Sequence, residues 1–564
     1  MHDTPSTATE PPANNSFRKI CCAVLILITL YVCYFSHLGA FGFVGPDEPR
    51  YAWIAREMAE TGDWVTPRLY GKPWFEKPIL YYWSAALSFK LFGVSEVTAR
   101  LPSALFALFA SLALAWLALR MADPEDKDPQ SLATEESARH HTNWALARWV
   151  SLLVPASVAM VGFSHAAAPD MPFSAALTMA MVCAAVILGL ARCSLPRNAA
   201  ASLFGFFLGV AVLAKGPAAL ILAGGGTILW AAFSKRWRDA LRLVHPLAIA
   251  AFLLTCLPWY VLCARRNPEF FRIFIIEHNF KRYLTPEFQH LQPFWYYLPI
   301  ALVALLPWVF WLVWFAFRRA RTTSMPIHRD QLLFFAGWAI FPILFFSASK
   351  SKLPGYILPA IFPLALLISI AVQNAAKSTH HFRGYAAAFP GALFVAAACW
   401  PLFSSVQPRG SLVMVAVVVA MAGGLLGMAA AMLRRTTAAL TISILVVLSL
   451  LTFTYVSASR LDPQFSARFS AAQIGRDRAS VTYAYKLQRA WQYQLNFYLH
   501  REVSEWNPEV TGETVVVTNQ KNLAELKSHA EISTVISDQS PQAQVVVVRP
   551  RTSGLDVTGS RQSQ

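Results

Sequence analysis

The chain has 564 residues, of which 56% are hydrophobic and only 14% charged, whereas a soluble globular domain carries about 25% charged residues. This excludes an ordinary water-soluble enzyme and makes a bilayer the principal solvent. The formal net charge of +17 would suit nucleic acid, but the basic residues form short clusters between apolar runs. Positive-inside topology and anionic lipid headgroups explain that pattern, so membrane lipids and no nucleic acid are the expected partners.

Residues 1–17 are polar and rich in Ser, Thr, Pro and Asn, the composition of a disordered cytoplasmic tail. The apolar run behind them has no small-residue cleavage site and reads as a retained anchor. Runs of about 17 to 25 apolar residues, enough to cross the hydrocarbon core as helix, begin near Lys19, Leu101, Trp144, Met171, Ala200, Pro217, Leu243, Phe294, Gln331, Tyr356, Tyr385, Ser411 and Thr437. A polytopic α-helical membrane domain of about thirteen spans is therefore expected over residues 18–459, with A-K-G-P at Ala214–Pro217 as a tight turn. The connector Ala122–Thr142 is charged and aperiodic. The eight cysteines lie in or beside apolar segments with no C-x-x-C pair, so neither a disulfide framework nor a cysteine metal site is expected.

Placing Arg18 and Lys19 in the cytoplasm puts Lys235/Arg236/Arg238/Arg242, Arg318/Arg319/Arg321 and Arg434/Arg435 on that side too, as the positive-inside rule requires. An odd number of spans then leaves residues 460–550 outside the cytoplasm. Strand-like runs at Ser480–Tyr485, Thr514–Val517 and Val545–Val548 and a helix-like stretch at Leu523–Lys527 predict a small C-terminal periplasmic α/β domain, followed by a disordered tail at 551–564. The aromatic residues, in groups such as Tyr81/Tyr82/Trp83 and Trp295/Tyr296/Tyr297, read as an interfacial belt. Gly224–Gly226 lies inside an apolar span and reads as a packing feature.

Two outer loops, residues 42–100 and 263–293, are basic on the wrong side of the membrane. Long loops cross regardless of charge; alternatively, cations such as Arg265 and Arg266 grip phosphates from the outer leaflet. Gly45–Trp64 predicts a helix lying on the membrane, with Pro49 in its first turn, Tyr51, Ile54 and Met58 on the apolar side, Arg50, Arg56, Glu57 and Glu60 on the polar side, and Gly62 as its stop. Pro78–Val94 predicts a second interfacial stretch. Asp47 and Glu48 either cap the first helix or present a carboxylate that orients or deprotonates an acceptor.

Asp47-Glu48, with G-D-W-V-T-P-R-L at Gly62–Leu69 and K-P-W-F-E-K-P-I-L-Y-Y-W at Lys72–Trp83, resembles the GT-C glycosyltransferases, most closely the bacterial transferases that add 4-amino-4-deoxy-L-arabinose to lipid A. A-P-D-M-P at Ala168–Pro172, F-I-I-E-H-N-F-K-R-Y at Phe274–Tyr283 and S-K-S-K-L-P-G-Y-I-L-P at Ser349–Pro359 extend the resemblance in order along the chain. It implies an inner-membrane enzyme, monomeric and facing the periplasm, that moves the sugar from undecaprenyl phosphate to a lipid A phosphate by inverting displacement. The product lowers outer-membrane negative charge and confers resistance to polymyxin and cationic peptides. No nucleotide or other cofactor is required.

On this reading Asp47 orients the acceptor or holds its proton, and Lys77 stabilises the departing phosphate unless it merely snorkels to the interface. Glu48 and Glu76 join them as substrate-binding residues. Asp170 contacts the sugar or caps the helix behind it. Glu277 and His278 lie among the second-loop cations, and His278 with Glu76 could hold a divalent ion if the loops converge. Lys350 and Lys352 snorkel or, with Tyr356, line the carrier site. Two further readings are a GT-C transferase of another lipid-linked sugar, such as mannose, onto protein or glycan, and a flippase. A transporter tends to carry charges within spans and repeated halves; the nearest such charge, Lys215, sits at a turn.

Overall fold

The computed structural model describes residues 13–121, 132–193, 195–284, 291–321, 327–377, 382–403, 411–475 and 478–550. Residues 1–12 and 551–564 of the two tails, connector residues 122–131 and second-loop residues 285–290 lie outside that set. The chain divides into two units. One comprises the segment ending at Leu38, Met58–Arg68 and Lys72–Tyr455; the other comprises Gly39–Glu57, Leu69–Gly71 and the chain from Val456 onward.

In chain order the helices are α1 (Ala13–Tyr34), α2 (Asp47–Thr61), α3 (Leu80–Phe92), α4 (Glu96–Arg120), α5 (Leu132–Leu153), α6 (Val158–Ser164), α7 (Asp170–Ile187), α8 (Arg197–Lys215), α9 (Ala218–Ser234), α10 (Trp237–Ala240) and α11 (Pro246–Arg266). They continue as α12 (Arg282–Leu284), α13 (Tyr297–Ala304), α14 (Phe310–Arg321), α15 (Arg329–Ala348), α16 (Leu358–Lys377), α17 (Phe382–Phe403), α18 (Ser411–Met432) and α19 (Thr436–Val456). Among the described residues nine helices are long and apolar enough to cross a membrane, or ten if α5 and α6, bent by 60°, form one span. The protein is a multi-pass membrane protein. All thirteen expected segments are helical, but α9 has only 17 residues, the 294–321 segment is broken between α13 and α14, and α17 carries Arg383 near its start.

Local chemistry sets the helix ends. Ser95 accepts from the Thr98 amide while the Thr98 hydroxyl accepts from the Ser95 amide, a capping box that starts α4. Gly216, at φ 87°, stops α8 one residue before Pro217, so the A-K-G-P segment is a turn, as read from the sequence. The second outer loop is shorter than expected. α11 continues to Arg266, and Arg272–Lys281 forms a π-helix that buries Phe274 while Arg272 and Lys281 face outward.

Small residues let the membrane helices touch. A Cβ on Gly337 of α15 would lie 2.8 Å from the Gly226 carbonyl of α9, and one on Gly391 of α17 would lie 2.5 Å from the Gly424 carbonyl of α18. This is how helices associate where burial from water offers no driving force. The aromatic groups are not only a belt: Tyr81, Tyr82 and Tyr297 are buried, with Tyr81 donating to the Ala99 carbonyl at 2.9 Å and Tyr297 to the Leu353 carbonyl at 3.1 Å, whereas Trp295 is exposed.

The second unit contains α20 (Ala458–Phe465), α21 (Arg468–Ile474), β3 (Thr482–Tyr485), α22 (Arg489–Leu499), β4 (Thr514–Thr518), α23 (Leu523–His529), β5 (Ala530–Ser537) and β6 (Gln544–Pro550), after the two-residue strands β1 (Arg68–Leu69) and β2 (Lys72–Pro73) earlier in the chain. Its sheet runs β3-β4-β6-β5, with β3 parallel to β4 and the other pairs antiparallel. Alternating valines feed both faces: Val515, Val517 and Val545 pack with Trp491 and Leu495, and Val516, Val546 and Val548 with Tyr485 and Trp506.

The first-loop segment Gly39–Glu57 folds into this unit, so the boundary expected at residue 460 is drawn differently. Arg468 donates to the Gly39 and Ala40 carbonyls at 3.0 and 3.1 Å, and the Gly42 amide donates to Asp462 at 2.6 Å. The helix expected to lie on the membrane is instead buried in protein on nearly every side. Arg56, 4% exposed, donates to the Phe497 carbonyl at 3.2 Å and lies over the Trp53 and Phe497 rings, and Arg50 lies over Tyr51 and Tyr493. Amphipathic spacing is the same whether the covering surface is lipid or protein, so the pattern did not distinguish them.

Replacing Gly391 by Ala should destabilise the protein by about 1–3 kcal/mol, because the new methyl meets backbone. Gly384→Ala, whose nearest contact is at 3.6 Å, should not. Thermal unfolding of the two variants in detergent measures the difference.

Candidate functional site

Three groups of expected residues have defined surroundings. The first lies where α7 begins and α8 ends. Asp170, in the first turn of α7, accepts from Lys215, the last residue of α8, at 2.5 Å. A helix N-terminus favours an anion and a C-terminus a cation, so each charge sits at the end that stabilises it. Both side chains are largely buried, 10% exposed for Lys215 and 21% for Asp170. The Lys215 ammonium also lies 4.8 Å from the centre of the Tyr356 ring and 5.4 Å from that of Phe173. Tyr356 belongs to the 3-10 turn Pro354–Ile357, and a Cβ on the neighbouring Gly355 would lie 2.8 Å from the Asp170 carboxylate. Glycine is what lets this turn approach the ion pair.

Ahead of that turn, Lys350 is exposed and its amide donates to the Tyr283 carbonyl at 3.0 Å. Lys352 does not snorkel. It is 6% exposed and its ammonium donates to the Gln292 carbonyl at 3.1 Å and the Ser349 carbonyl at 2.5 Å, while burial and, secondarily, Lys350 lower its pKa below lysine's ordinary value.

In the second group the two outer loops meet. Arg266 pairs with Asp63 at 3.2 Å, the Asn267 amide donates to the Thr66 hydroxyl at 3.0 Å, Trp259 donates to the Val65 carbonyl at 3.0 Å, and Phe75 packs edge-on against Phe270. Glu76 and Lys77 are close to each other at 3.5 Å and both largely buried. Arg265 is exposed, and Glu277 pairs with Arg272 at 2.5 Å. His278 is half-buried. Among the described residues no three His, Cys, Asp or Glu side chains gather into a metal-binding group.

The third group belongs to the second unit. Asp47 is exposed and accepts from Arg50 at 2.5 Å; Glu48 is buried and accepts from the Val44 amide at 2.8 Å, closing the start of α2. Glu48 thus serves the helix terminus, and Asp47 presents an ion-paired carboxylate to solvent. Lys215 and Asp63 were not among the residues expected to form the site. Lys215 was read only as a turn residue. Asp63 stands inside its motif, and its Oδ1 accepts from the Val65 and Thr66 amides.

Residues 19–123 and 137–274 match the dolichyl-phosphate-mannose-protein mannosyltransferase family. Among curated relatives, the undecaprenyl phosphate-alpha-4-amino-4-deoxy-L-arabinose arabinosyl transferase of Edwardsiella ictaluri is 33% identical over 58% of this chain and 55% of its own, and that of Pseudomonas aeruginosa is 33% identical over 63% and 60%. The chain thus matches little more than half the length of these relatives. The crystal structure of ArnT from Cupriavidus metallidurans bound to undecaprenyl phosphate superposes with a TM-score of 0.73 at 22% identity, covering 94% of this chain and 98% of that one. This chain has the GT-C fold of that structure.

Asp170→Asn and Lys215→Met should each destabilise the protein, and the double variant should be destabilised by less than the sum of the two, with a coupling of about 0.5–3 kcal/mol. A double-mutant cycle of thermal unfolding in detergent measures it, and a coupling near zero would contradict the pairing.

Proposed function

We propose that this protein is an inner-membrane glycosyltransferase that works at the periplasmic face, taking 4-amino-4-deoxy-L-arabinose from undecaprenyl phosphate and delivering it to a lipid A phosphate. The observation that carries the reading is the set of relatives bearing that activity in their names at 30–34% identity. A phosphate oxygen of lipid A attacks the anomeric carbon as the bond from that carbon to the carrier phosphate breaks. Configuration inverts, and undecaprenyl phosphate leaves as an anion.

A lipid A phosphate is already anionic near pH 7, so the acceptor needs orientation more than deprotonation, and that is the role assigned to Asp47 with Arg50. Lys77, held beside Glu76, neutralises charge developing on the departing phosphate. Arg265, Arg266 and Lys350 are the cations offered to the two phosphates. Asp170 and Tyr356 contact the sugar around Lys215, and a carboxylate among Glu48, Glu76, Asp170 and Glu277 receives its ammonium group. His278 and Lys352 complete the lining. The enzyme acts as a monomer, and the product lowers outer-membrane negative charge and so resistance to cationic peptides rises.

The match to the mannosyltransferase family supports a second reading, transfer of a carrier-linked mannose to protein. There the acceptor is a neutral hydroxyl, and Asp47 becomes a true base.

Mass spectrometry of lipid A from cells with and without the gene distinguishes the two. Aminoarabinose on lipid A is expected only with the gene, and an unchanged profile alongside altered glycoproteins would favour the mannose reading. Asp47→Ala should lower transfer by about 10²- to 10⁴-fold in cells with equal membrane insertion, and Lys77→Ala should raise KM for the carrier as well as lower kcat. Full activity of Asp47→Ala would remove the role assigned to that carboxylate.

A further inference from the structure

Where α9 gives way to α10, residues of α8, α9 and α11 line an apolar groove of about 430 Å³, with α8 and α11 in backbone contact at Gly205 and Ala248. Phe204 and Leu208 line it from α8, Ile228 from α9 and Phe252 from α11. Trp237, Leu241 and Val244 border it and are 52–69% exposed. Gly224 faces open space there, and a Cβ on it would meet nothing within 4 Å.

The rim of this groove is strongly basic. Lys235, Arg236, Arg238 and Arg242 stand within eight residues against one carboxylate, Asp239. Asp239 accepts from Arg236 at 2.6 Å and pairs with Arg242 at 2.8 Å, and Arg236 also reaches Asp330 at 2.8 Å. Lys235 and Arg238 are exposed, and among the described residues neither is paired with a carboxylate. Surplus positive charge beside an apolar slot, with a tryptophan at the boundary, complements an amphiphile with an anionic head and hydrocarbon tails.

The groove uses the middle of α8, whereas the Asp170–Lys215 pair sits at the last residue of the same helix. Gly205, in the groove wall, and Lys215 are ten residues apart, about 15 Å along a helix. The slot runs from the middle of α8 to the Trp237–Val244 segment that follows α9, and its basic rim is at the end away from that pair. We infer that it seats one anionic diacyl phospholipid, with an acyl chain in the slot and the phosphate against Lys235 and Arg238.

Native mass spectrometry of the full-length protein, released from nanodiscs of phosphatidylglycerol or of phosphatidylcholine with the same chains, tests this. One phosphatidylglycerol should be retained in clear preference to phosphatidylcholine. Lys235→Asn and Arg238→Gln should each lower its retention by about fivefold, and Gly224→Leu should remove it by filling the slot while thermal unfolding shows the fold intact. Equal retention of both lipids, or variants that retain phosphatidylglycerol like the parent, would overturn the proposal. So would displacement of the lipid by equimolar undecaprenyl phosphate, which would assign the groove to the carrier.

Discussion

The contact between Lys215 and Asp170 joins two helix ends of opposite polarity, and the bundle around it is built on the rule which that contact obeys. In hydrocarbon a backbone can run only as helix, because no water is present to satisfy its amides and carbonyls. A charge within a span is costly unless it is paired. Where α8 stops at Gly216 and α7 starts at Asp170, the unpaired carbonyls of one helix and amides of the other are the fixed partial charges present. Placing the ammonium at the first and the carboxylate at the second satisfies the helix ends and the side chains together. The chain can thereby hold a reactive-looking ion pair in apolar surroundings without a charged residue in mid-span.

Three cations of the two loops follow a related scheme. Lys77 lies beside Glu76, Arg266 beside Asp63 and Arg272 beside Glu277. A carboxylate next to a lysine or arginine limits the rotamers it explores, a form of preorganisation. On the proposed function, a phosphate reaching these cations would compete with a resident carboxylate.

Much of this was legible in the sequence for physical reasons that differ from element to element. Spans announce themselves by length and apolarity, the α8–α9 turn by Gly216 and Pro217, and the strands β4 and β6 by valine runs that can be buried on both faces. β5 was not, because in A-E-I-S-T-V-I-S the exposed and buried positions do not alternate cleanly, its pairing with β6 shifting register twice. The burial of α2 was not legible either, since Arg56 finds its carbonyl partner 441 residues later. The same holds for Lys215: its local sequence reports a helix end, and its partner at position 170 is fixed only by the packing of α7 on α8. Spacing along a chain reveals which surface a helix must cover, and the covering partner is a property of the tertiary fold.

The two basic regions of the membrane unit show how that distinction bears on function. By composition alone, the 235–242 cluster and the outer-loop arginines and lysines are equivalent. They differ in what surrounds each charge. In the loops, Lys77, Arg266 and Arg272 each have an acidic neighbour and lie in segments whose aromatic residues, such as Phe75 and Phe270, pack against one another. In the 235–242 cluster one carboxylate serves two arginines, leaving Lys235 and Arg238 to solvent beside an open apolar slot. Paired cations are positioned groups suited to an exchange of partners during a reaction. An excess of positive charge beside an apolar groove is suited to a resident anion that stays, because the chain itself does not supply the missing negative charge.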